Sequence, residues 1–269
     1  MNKIYDIDIE TIRNQYFENN LTLKEIALNY GCDAHVIKSR LNEAGYTLRS
    51  ASHIPKYSHN ETFFDTPNVL NSYWAGVIAA DGCILQRVGV SDTISLDTHY
   101  KDICQLERYK NDIQFNGPIL EYKNMRTIRI HKANKLSAAL HENFNIVPRK
   151  TKILTPPNIN SEDCVKSFII GYIDGDGCVR IRGTSSGNPQ ILLNIVGTRS
   201  LLAWIREHFN DWVPIVRSNI KFEIKGDVCS YTVVGERAYK LLTMLRGCGI
   251  VCLNRKWNRI NQYAKLVGK

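Results

Sequence analysis

The sequence contains two copies of one short segment, and this duplication restricts the fold more than any other feature. The first copy, residues 74 to 83, reads WAGVIAADGC, and the second, residues 169 to 178, reads IIGYIDGDGC. Asp176 follows Asp81 by 95 positions, about the length of one small domain. A repeat at this spacing predicts two pseudo-symmetric halves, each supplying one carboxylate to a shared site.

Small residues recur four positions apart in both copies. The pairs are Ala75 and Ala79, Gly76 and Ala80, and Gly171 and Gly175. This spacing keeps one face of a helix free of bulky side chains, so two such helices can cross with their backbones unusually close. The alternative interpretation is that Asp-Gly is a common turn signal and that glycine-rich helices simply pack tightly.

Each copy ends in Asp-Gly, and the two aspartates are the principal candidate site residues. Gly82 and Gly177 are suited to the left-handed turn that ends many helices. Asp81 and Asp176 would then lie together at the negative ends of two helix dipoles, where each carboxylate repels the other. A hard divalent cation such as Mg²⁺ relieves this repulsion, with water and phosphate oxygens completing its coordination.

The segments after the two copies share one order of helices and strands. The first half continues with a polar strand-like stretch, a helix over 101 to 111, an alternating strand over 125 to 131 and a helix over 136 to 144. The second continues with a strand over 190 to 197, a helix over 200 to 209, a strand over 230 to 235 and a helix over 238 to 246. Each half therefore predicts helix, two strands, helix, two strands, helix. Lys150 and Lys256 follow these elements, 69 positions after Asp81 and 80 after Asp176.

These motifs and their spacing resemble the LAGLIDADG homing endonucleases in their single-chain, two-repeat form, from about Phe63 to the C-terminus. The resemblance implies an α+β fold of two αββαββα repeats. Their saddle-shaped antiparallel sheets would lie in the DNA major groove, and the two motif helices would form the interface between the repeats.

The resemblance also assigns site residues. Asp81 and Asp176 match the position that binds the catalytic metal ions in that family, where the preceding backbone carbonyls assist. Lys150 and Lys256 match the basic residues that line its active site. The preceding carbonyls here belong to Ala80 and Gly175.

The chain departs from the family pattern at several motif positions, none of which is a predicted metal ligand. The departures are Trp74 and Ile169 at the leading Leu, Val77 and Tyr172 at the next large residue, and Ala79 where an earlier Asp often stands.

The charge of the chain agrees with a nucleic-acid partner. It has 35 Lys and Arg against 26 Asp and Glu, a formal net charge of +9, and most of the surplus lies in the second repeat. Basic and amide side chains in or beside predicted strands are suited to phosphates or base edges, and a strand of about eight residues spans about eight base pairs. The sequence thus predicts a long, nearly asymmetric DNA target. The candidates are Gln86, Arg87, Arg126 and Arg129 in the first repeat, and Arg180, Arg182, Arg199, Arg217 and Lys221 in the second.

The N-terminal segment, residues 1 to 50, is predicted to be a separate helix-turn-helix module. Residues 23 to 41 read LKEIALNYGCDAHVIKSRL, where Asp33 is a candidate helix cap, and residues 5 to 19 would form a supporting first helix. The alternative is a small helical module for packing or protein contact. Candidate DNA contacts on the exposed face of the recognition helix are His35, Lys38, Ser39 and Asn42.

The remaining boundaries follow from composition. Residues 51 to 68 are predicted to be a linker in which Phe63 and Phe64 dock onto the core. The first repeat is then 69 to 157 and the second 158 to 269, joined by the proline-containing segment at 155 to 160.

The 8 cysteines form no Cys-x-x-Cys pair, so free thiols are expected. Cys83 and Cys178 are expected to be small buried residues. Without a recognisable signal peptide or a long apolar span, a cytoplasmic location is expected, with no membrane partner.

Together these features predict a monomeric, Mg²⁺-dependent, sequence-specific endonuclease of double-stranded DNA, in which Mn²⁺ would substitute for Mg²⁺. By resemblance, it would cut across the minor groove to leave short 3′ overhangs, and its role would be mobility of an intron or a free-standing element. Two alternatives stay open. One is a DNA-binding transcription regulator on a catalytically inactive scaffold, and the other is an RNA-binding intron-splicing maturase.

Overall fold

The computed structural model describes residues 8–19, 21–48, 57–183, 187–214, 223–225, 228–248, 250 and 253–268. The chain divides into two compact units, Met1–Pro55 and Lys56–Lys269. Two predicted DNA contacts, Arg217 and Lys221, lie outside the described residues.

The N-terminal unit is helical. It contains α1 (Ile9–Arg13), a π-helical turn (Asn14–Glu18), α2 (Leu23–Asn29) and α3 (Ala34–Glu43). Helix α1 begins at Ile9, and the Asp8 carboxylate caps it by accepting hydrogen bonds from the Glu10 and Thr11 amides. Residues 5 to 7 of the predicted first helix lie outside the described residues.

The start of α3 follows the sequence pattern. The Asp33 carboxylate accepts a hydrogen bond from the His35 amide at 2.8 Å, so this predicted helix cap is confirmed. Ile37 and Leu41 of α3 pack into a small core with Ile26 and Ala27 of α2.

The first repeat has the predicted order of elements. It contains α4 (Val69–Asp81), β1 (Gly82–Arg87), β2 (Val90–His99), α5 (Ile103–Asp112), β3 (Leu120–Tyr122), β4 (Met125–His131) and α6 (Asn134–Phe144). Its strands form an antiparallel sheet in the order β1-β2-β4-β3.

The second repeat has the same order with one added helix. It contains α7 (Glu162–Asp176), β5 (Gly177–Gly183), β6 (Pro189–Gly197), α8 (Arg199–Trp212), β7 (Glu223–Lys225), β8 (Val228–Val234), α9 (Glu236–Arg246) and α10 (Asn254–Leu266). The sheet order β5-β6-β8-β7 is equivalent to that of the first repeat. The predicted fold of two αββαββα repeats with antiparallel sheets is therefore confirmed.

Helices α4 and α7 cross with their backbones in contact, and two glycines make this approach sterically allowed. A Cβ atom on Gly76 would lie 2.1 Å from the carbonyl oxygen of Phe168, and one on Gly171 would lie 2.0 Å from that of Tyr73. Both distances are far shorter than any contact between a Cβ and an oxygen. The glycines therefore hold the two repeats together closely enough to bring the helix ends side by side.

The two repeats share one hydrophobic core, into which Phe64 is fully buried with Phe63 packed against it. The expected docking of these phenylalanines is confirmed. The described part of the predicted linker, residues 57 to 68, thus belongs to the second unit. Within the described residues, no helix has the length and apolar character needed to cross a bilayer.

Candidate active site and nucleic-acid interface

Asp81 and Asp176 are the last residues of the two crossing helices, α4 and α7. The Asp81 carboxylate lies against α7, since a Cβ atom on Gly175 would come within 3.1 Å of its Oδ2 and within 2.3 Å of the Cβ of Ala80. A larger residue than glycine at position 175 would push the two helix ends apart. The close crossing thus places one carboxylate of each repeat at a common point.

Gly82 and Gly177 follow the two aspartates, but neither adopts the left-handed conformation that the sequence predicts. Their φ and ψ angles are −79° and 160° for Gly82 and −91° and 147° for Gly177, so that prediction was wrong. The reason for glycine is steric. A Cβ on Gly82 would lie 2.7 Å from Cγ2 of Ile78, and one on Gly177 would lie 2.5 Å from the carbonyl oxygen of Ile173. Each glycine therefore allows the chain to turn directly from the helix into the first strand.

Lys150 and Lys256 lie behind the two aspartates and bind the C-terminal ends of the same helices. The Lys150 amine, which is buried, donates a hydrogen bond to the carbonyl of Gly82. The Lys256 amine donates to the carbonyls of Ile173, at 3.1 Å, of Asp174 and of Gly175, at 3.0 Å. Both cations thereby satisfy carbonyls at the negative ends of the helices.

The two carboxylates and the two lysines influence one another electrostatically. Desolvation by burial, followed by repulsion from Asp176, raises the pKa of Asp81 to about 6, while Lys256 and Lys150 act to lower it. Burial also raises the pKa of Asp176, with Lys150 the largest opposing influence. Each carboxylate is thus stabilised most by the lysine of the other repeat, so neither repeat forms the centre alone.

Tyr172 makes the two carboxylates unequal. Its hydroxyl acts as a hydrogen-bond partner that lowers the pKa of Asp176, and it also lies 2.9 Å from the carbonyl oxygen of Val196. The equivalent position in the first motif is Val77, which offers no hydroxyl to Asp81.

Asp174, which sequence reasoning did not select, is a buried carboxylate that joins three parts of the chain. It accepts hydrogen bonds from Tyr73 Oη at 2.8 Å, from the Leu253 amide at 2.9 Å and from Trp257 Nε1 at 2.7 Å. These contacts fix the segment that carries Lys256 onto α7. The acidic residue two positions before Asp176 was the available signal, but its counterpart in the first copy is Ala79.

The donor atoms at the centre fit a hard divalent cation only in part. Part of the surface of Asp81 and of Asp176 stays open to solvent, although the surrounding protein desolvates both carboxylates. The repulsion between them is what such a cation would relieve. Among the described residues, no cluster of three or more His, Cys, Asp and Glu side chains is placed to hold a metal ion. The predicted carbonyl ligand of Gly175 is bound by Lys256. The two carboxylates would thus need water or phosphate oxygens as further ligands.

Comparisons with known proteins were made at the level of sequence and structure. The sequence matches no protein-family model and no curated protein sequence. The structure is similar to the LAGLIDADG meganuclease I-AabMI bound to uncleaved DNA, with a TM-score of 0.52 at 16% identity over 75% of this chain and 92% of that one. It is also similar to meganuclease I-SmaMI bound to uncleaveable DNA, with a TM-score of 0.51 at 13% identity over 72% and 89% of the two chains.

This chain has the LAGLIDADG meganuclease fold. The resemblance inferred from the two motifs is therefore confirmed at the level of fold, and Asp81 and Asp176 end the two LAGLIDADG helices. At these identities the comparison concerns architecture alone, so the functional assignments depend on the residues themselves.

One face of each LAGLIDADG sheet packs on the helices and the other is open. In the first sheet Cys83 pairs with Ser95, which pairs with Arg129, so Arg129 lies on the same open face as the strand that leaves Asp81. In the second sheet Cys178, Arg180 and Arg182 alternate with the buried Val179 and are exposed. The open faces therefore begin at the carboxylate centre and carry exposed arginines.

Other predicted DNA contacts in the repeats lie elsewhere. Arg126 is on the face that carries the core residues Ile128 and Ile130, and its guanidinium pairs with Glu121 at 3.0 Å. The Gln86 amide donates a hydrogen bond to Asp92 at 3.0 Å. Arg87 is exposed at the end of β1, and Arg199 is exposed at the start of α8 rather than in a strand.

Cys83 and Cys178 are exposed, so the expectation that they are buried was wrong. Each is the second residue of its strand and points to the open face, because the preceding glycine occupies the buried face. All cysteines in the described part of the chain are free thiols.

Helix α3 of the N-terminal unit presents polar residues on the side opposite its core. His35, Lys38 and Asn42 are exposed, and Ser39 is half-buried, with its hydroxyl 2.9 Å from Glu43. The exposed positions agree with the face that the sequence predicts, while its role in DNA binding stays a prediction.

Proposed function

We propose that this protein is a divalent-metal-dependent, sequence-specific endonuclease that cleaves both strands of a long DNA target. The observation that carries this proposal is the meeting of Asp81 and Asp176 at the ends of two helices, each carboxylate stabilised by the lysine of the other repeat. Paired carboxylates that repel each other reduce stability and need a functional reason. Metal-assisted phosphodiester hydrolysis supplies one.

Asp81 and Asp176 would hold Mg²⁺ or Mn²⁺, together with water, phosphate oxygens and the carbonyl of Ala80. When bound, such an ion supplies a water that is nucleophilic at neutral pH and neutralises charge on the phosphate. The Gly175 carbonyl is the weakest of the predicted ligands because it accepts a hydrogen bond from Lys256.

The lysines have a role that does not depend on the metal. Their amines are held by backbone carbonyls, that of Gly82 just after α4 and that of Gly175 in α7. Both positive charges therefore stay fixed near the carboxylates before DNA arrives. A fixed cation stabilises the additional negative charge that develops on a phosphate during hydrolysis without reorganising. Lys150 and Lys256 would therefore lower the barrier for cleavage more than they strengthen binding.

The open sheet faces would provide the DNA contacts. β2 has 10 residues and β6 has 9, and each spans about nine or ten base pairs at 3.3 Å per residue. Two such faces on either side of the centre suit a long, asymmetric target read by a single chain. Arg129, Arg180 and Arg182 are the best placed candidates because they lie on these faces, whereas Arg126 does not.

The N-terminal unit would act as a second, tethered DNA-binding module through α3. Residues 1 to 60 carry equal numbers of basic and acidic residues, so this unit would bind DNA weakly alone. Attachment to the LAGLIDADG unit raises its effective concentration at a neighbouring site, so it would add affinity without a large charge of its own.

The test is selection of cleaved molecules from a library of randomised duplex DNA with purified protein and Mg²⁺, followed by sequencing of the ends. We expect one long consensus, cut on both strands, and no enrichment in EDTA. Binding of a duplex consensus without cleavage would favour the regulator, and preference for structured RNA over duplex DNA would favour the maturase. Either result would overturn the proposed activity.

A further inference from the structure

Beside the carboxylate centre, an ion pair joins Asp102 of the first repeat to Arg255 of the second repeat, the residue before Lys256. The carboxylate of Asp102, just before α5, accepts hydrogen bonds from Arg255 Nε at 2.8 and 2.9 Å and from Arg255 Nη2 at 2.7 Å. The Asp102 side chain is 8% exposed and that of Arg255 is 59% exposed. A buried carboxylate that binds the guanidinium through two nitrogens fixes its orientation, while the remaining nitrogen, Nη1, stays available for another partner.

The arginine borders the carboxylate of the first repeat. Arg255, Asp81 and Lys256 line one cavity of about 160 Å³, together with Asp97 and His99 of β2. A phosphate that approached Asp81 would therefore meet a guanidinium already held in place.

Within the described residues, Arg149, the counterpart of Arg255 in the first repeat, has no matching ion pair. Arg149 precedes Lys150 as Arg255 precedes Lys256, but Arg149 is exposed and makes no ion pair or side-chain hydrogen bond with any residue that the structure describes. The residue before α8, in the place of Asp102, is Thr198, whose hydroxyl caps that helix. Among the described residues, Arg255 is therefore held by an ion pair and Arg149 is not.

We propose that Asp102 positions Arg255 as a contact to the phosphate backbone of one DNA strand only, so that the two strands are cleaved at unequal rates. The proposal rests on the endonuclease activity proposed above and names a residue that makes its two halves differ. A guanidinium held by a buried carboxylate loses little conformational entropy when Nη1 binds a phosphate oxygen. Arg149, with no such support, would contribute less to the other strand.

The test measures single-turnover cleavage of each strand separately on a duplex labelled at either end. Replacing Arg255 alone would leave Asp102 buried and unpaired, so the informative variant is Arg255→Gln combined with Asp102→Asn, which removes both charges together. We expect it to slow one strand at least about tenfold more than the other. Asp102→Ala, which keeps the cation but removes its partner, should slow the same strand by less, and Arg149→Gln should change the ratio of the two rates much less than the double variant does.

Equal slowing of both strands in the double variant, or the same strand bias in Arg149→Gln, would overturn the proposal while leaving the endonuclease assignment intact. Thermal melting of each variant checks that a slower cleavage rate does not come from unfolding. If the wild-type protein binds DNA without cutting it, the endonuclease proposal fails, and the salt dependence of binding then tests Arg255 directly. The plot of the logarithm of the DNA association constant against the logarithm of the salt concentration has a negative slope, whose magnitude should decrease by about one in the double variant. An unchanged slope would contradict the phosphate contact.

Discussion

The phenolic oxygen of Tyr73 in the first LAGLIDADG helix lies 2.8 Å from Oδ2 of Asp174 in the second. Because Asp174 also accepts hydrogen bonds from Trp257 and from the Leu253 amide, one buried carboxylate links both repeats and the segment that carries Lys256. Its loss would leave buried donors without partners.

Asp174→Ala should therefore reduce the free energy of unfolding by about 3 kcal/mol or more. Tyr73→Phe, which removes one of these hydrogen bonds, should cost about 1 kcal/mol. Urea denaturation monitored by circular dichroism measures both. Asp163→Ala, at an exposed position in the first turn of α7, is the control and should change stability by less than about 0.5 kcal/mol. Equal effects of the two aspartate substitutions would contradict the linking role.

The crossing of α4 and α7 makes a second prediction. Gly171→Ala would force a Cβ to within 2.0 Å of a backbone oxygen that cannot move without separating the helices. We expect a loss of at least about 3 kcal/mol in the free energy of unfolding, or failure to fold. Gly183→Ala is the matched control, since nothing lies within 4 Å of its added Cβ. If both variants melt at the wild-type temperature, the backbones are not as close as described.

The fold could be predicted from the sequence because short local patterns specify its elements and because these patterns occur in both repeats. The motif spacing, the small residues of the two helices and the alternating strand at 125 to 131 all specify elements that the structure contains. The Asp-Gly pair indicated the end of each helix correctly. The conformation of Gly82 was not predictable, since a glycine required for steric reasons and one required for a positive φ look the same in a sequence.

The paired aspartates were predictable for the same reason, while contacts between distant residues were not. Asp102 and Arg255 are 153 positions apart, and nothing in their local sequences indicates a partner. The burial of Asp174 also depends on Trp257 from another helix. The exposure of Cys83 and the placement of Arg126 on the core side depend on strand register, which is decided by pairing between strands.

Repulsion at the centre predicts a stability change with a defined pH dependence. The pKa of Asp81 is raised from an ordinary value of 3.8 to about 6 in the folded protein. Folding is therefore opposed by its negative charge, and this cost is absent below pH 3.8 and complete above about pH 6. Asp81→Asn should then be more stable than the wild type at pH 7.5 by about 1 kcal/mol, a modest value because the residue is exposed and screened. The gain should disappear near pH 4.

The control variant for this experiment should change the free energy of unfolding in the opposite direction. Glu61 has a pKa lowered by its hydrogen bond to Lys135, whose amine lies 2.7 Å away. Glu61→Gln should lose stability at pH 7.5 relative to the wild type and lose none at low pH. Urea denaturation at several pH values measures both variants. A stability gain of Asp81→Asn that grows as the pH falls would show that the carboxylate is not repelled in the folded state.

The fixed positive charges of Lys150 and Lys256 predict that removing either one affects the rate of DNA cleavage more than the affinity for DNA. Lys256→Met and Lys150→Met should each lower the single-turnover cleavage rate by about tenfold to a hundredfold, because a preorganised cation is lost. DNA affinity should change much less, since both amines are bound to backbone carbonyls at the ends of α4 and α7. Lys152→Met, at an exposed lysine two positions from Lys150, should cut at the wild-type rate. Parallel losses of affinity and rate would instead assign the lysines to DNA binding.

The central claim is that Asp81 and Asp176 jointly form the centre that hydrolyses DNA. The most direct measurement compares Asp81→Asn and Asp176→Asn with the wild type on the selected target, by electrophoretic binding and by cleavage in Mg²⁺. We expect both variants to bind the target with affinity similar to that of the wild type and neither to cleave either strand at a measurable rate. Cleavage of both strands at the wild-type rate by either variant would contradict this claim.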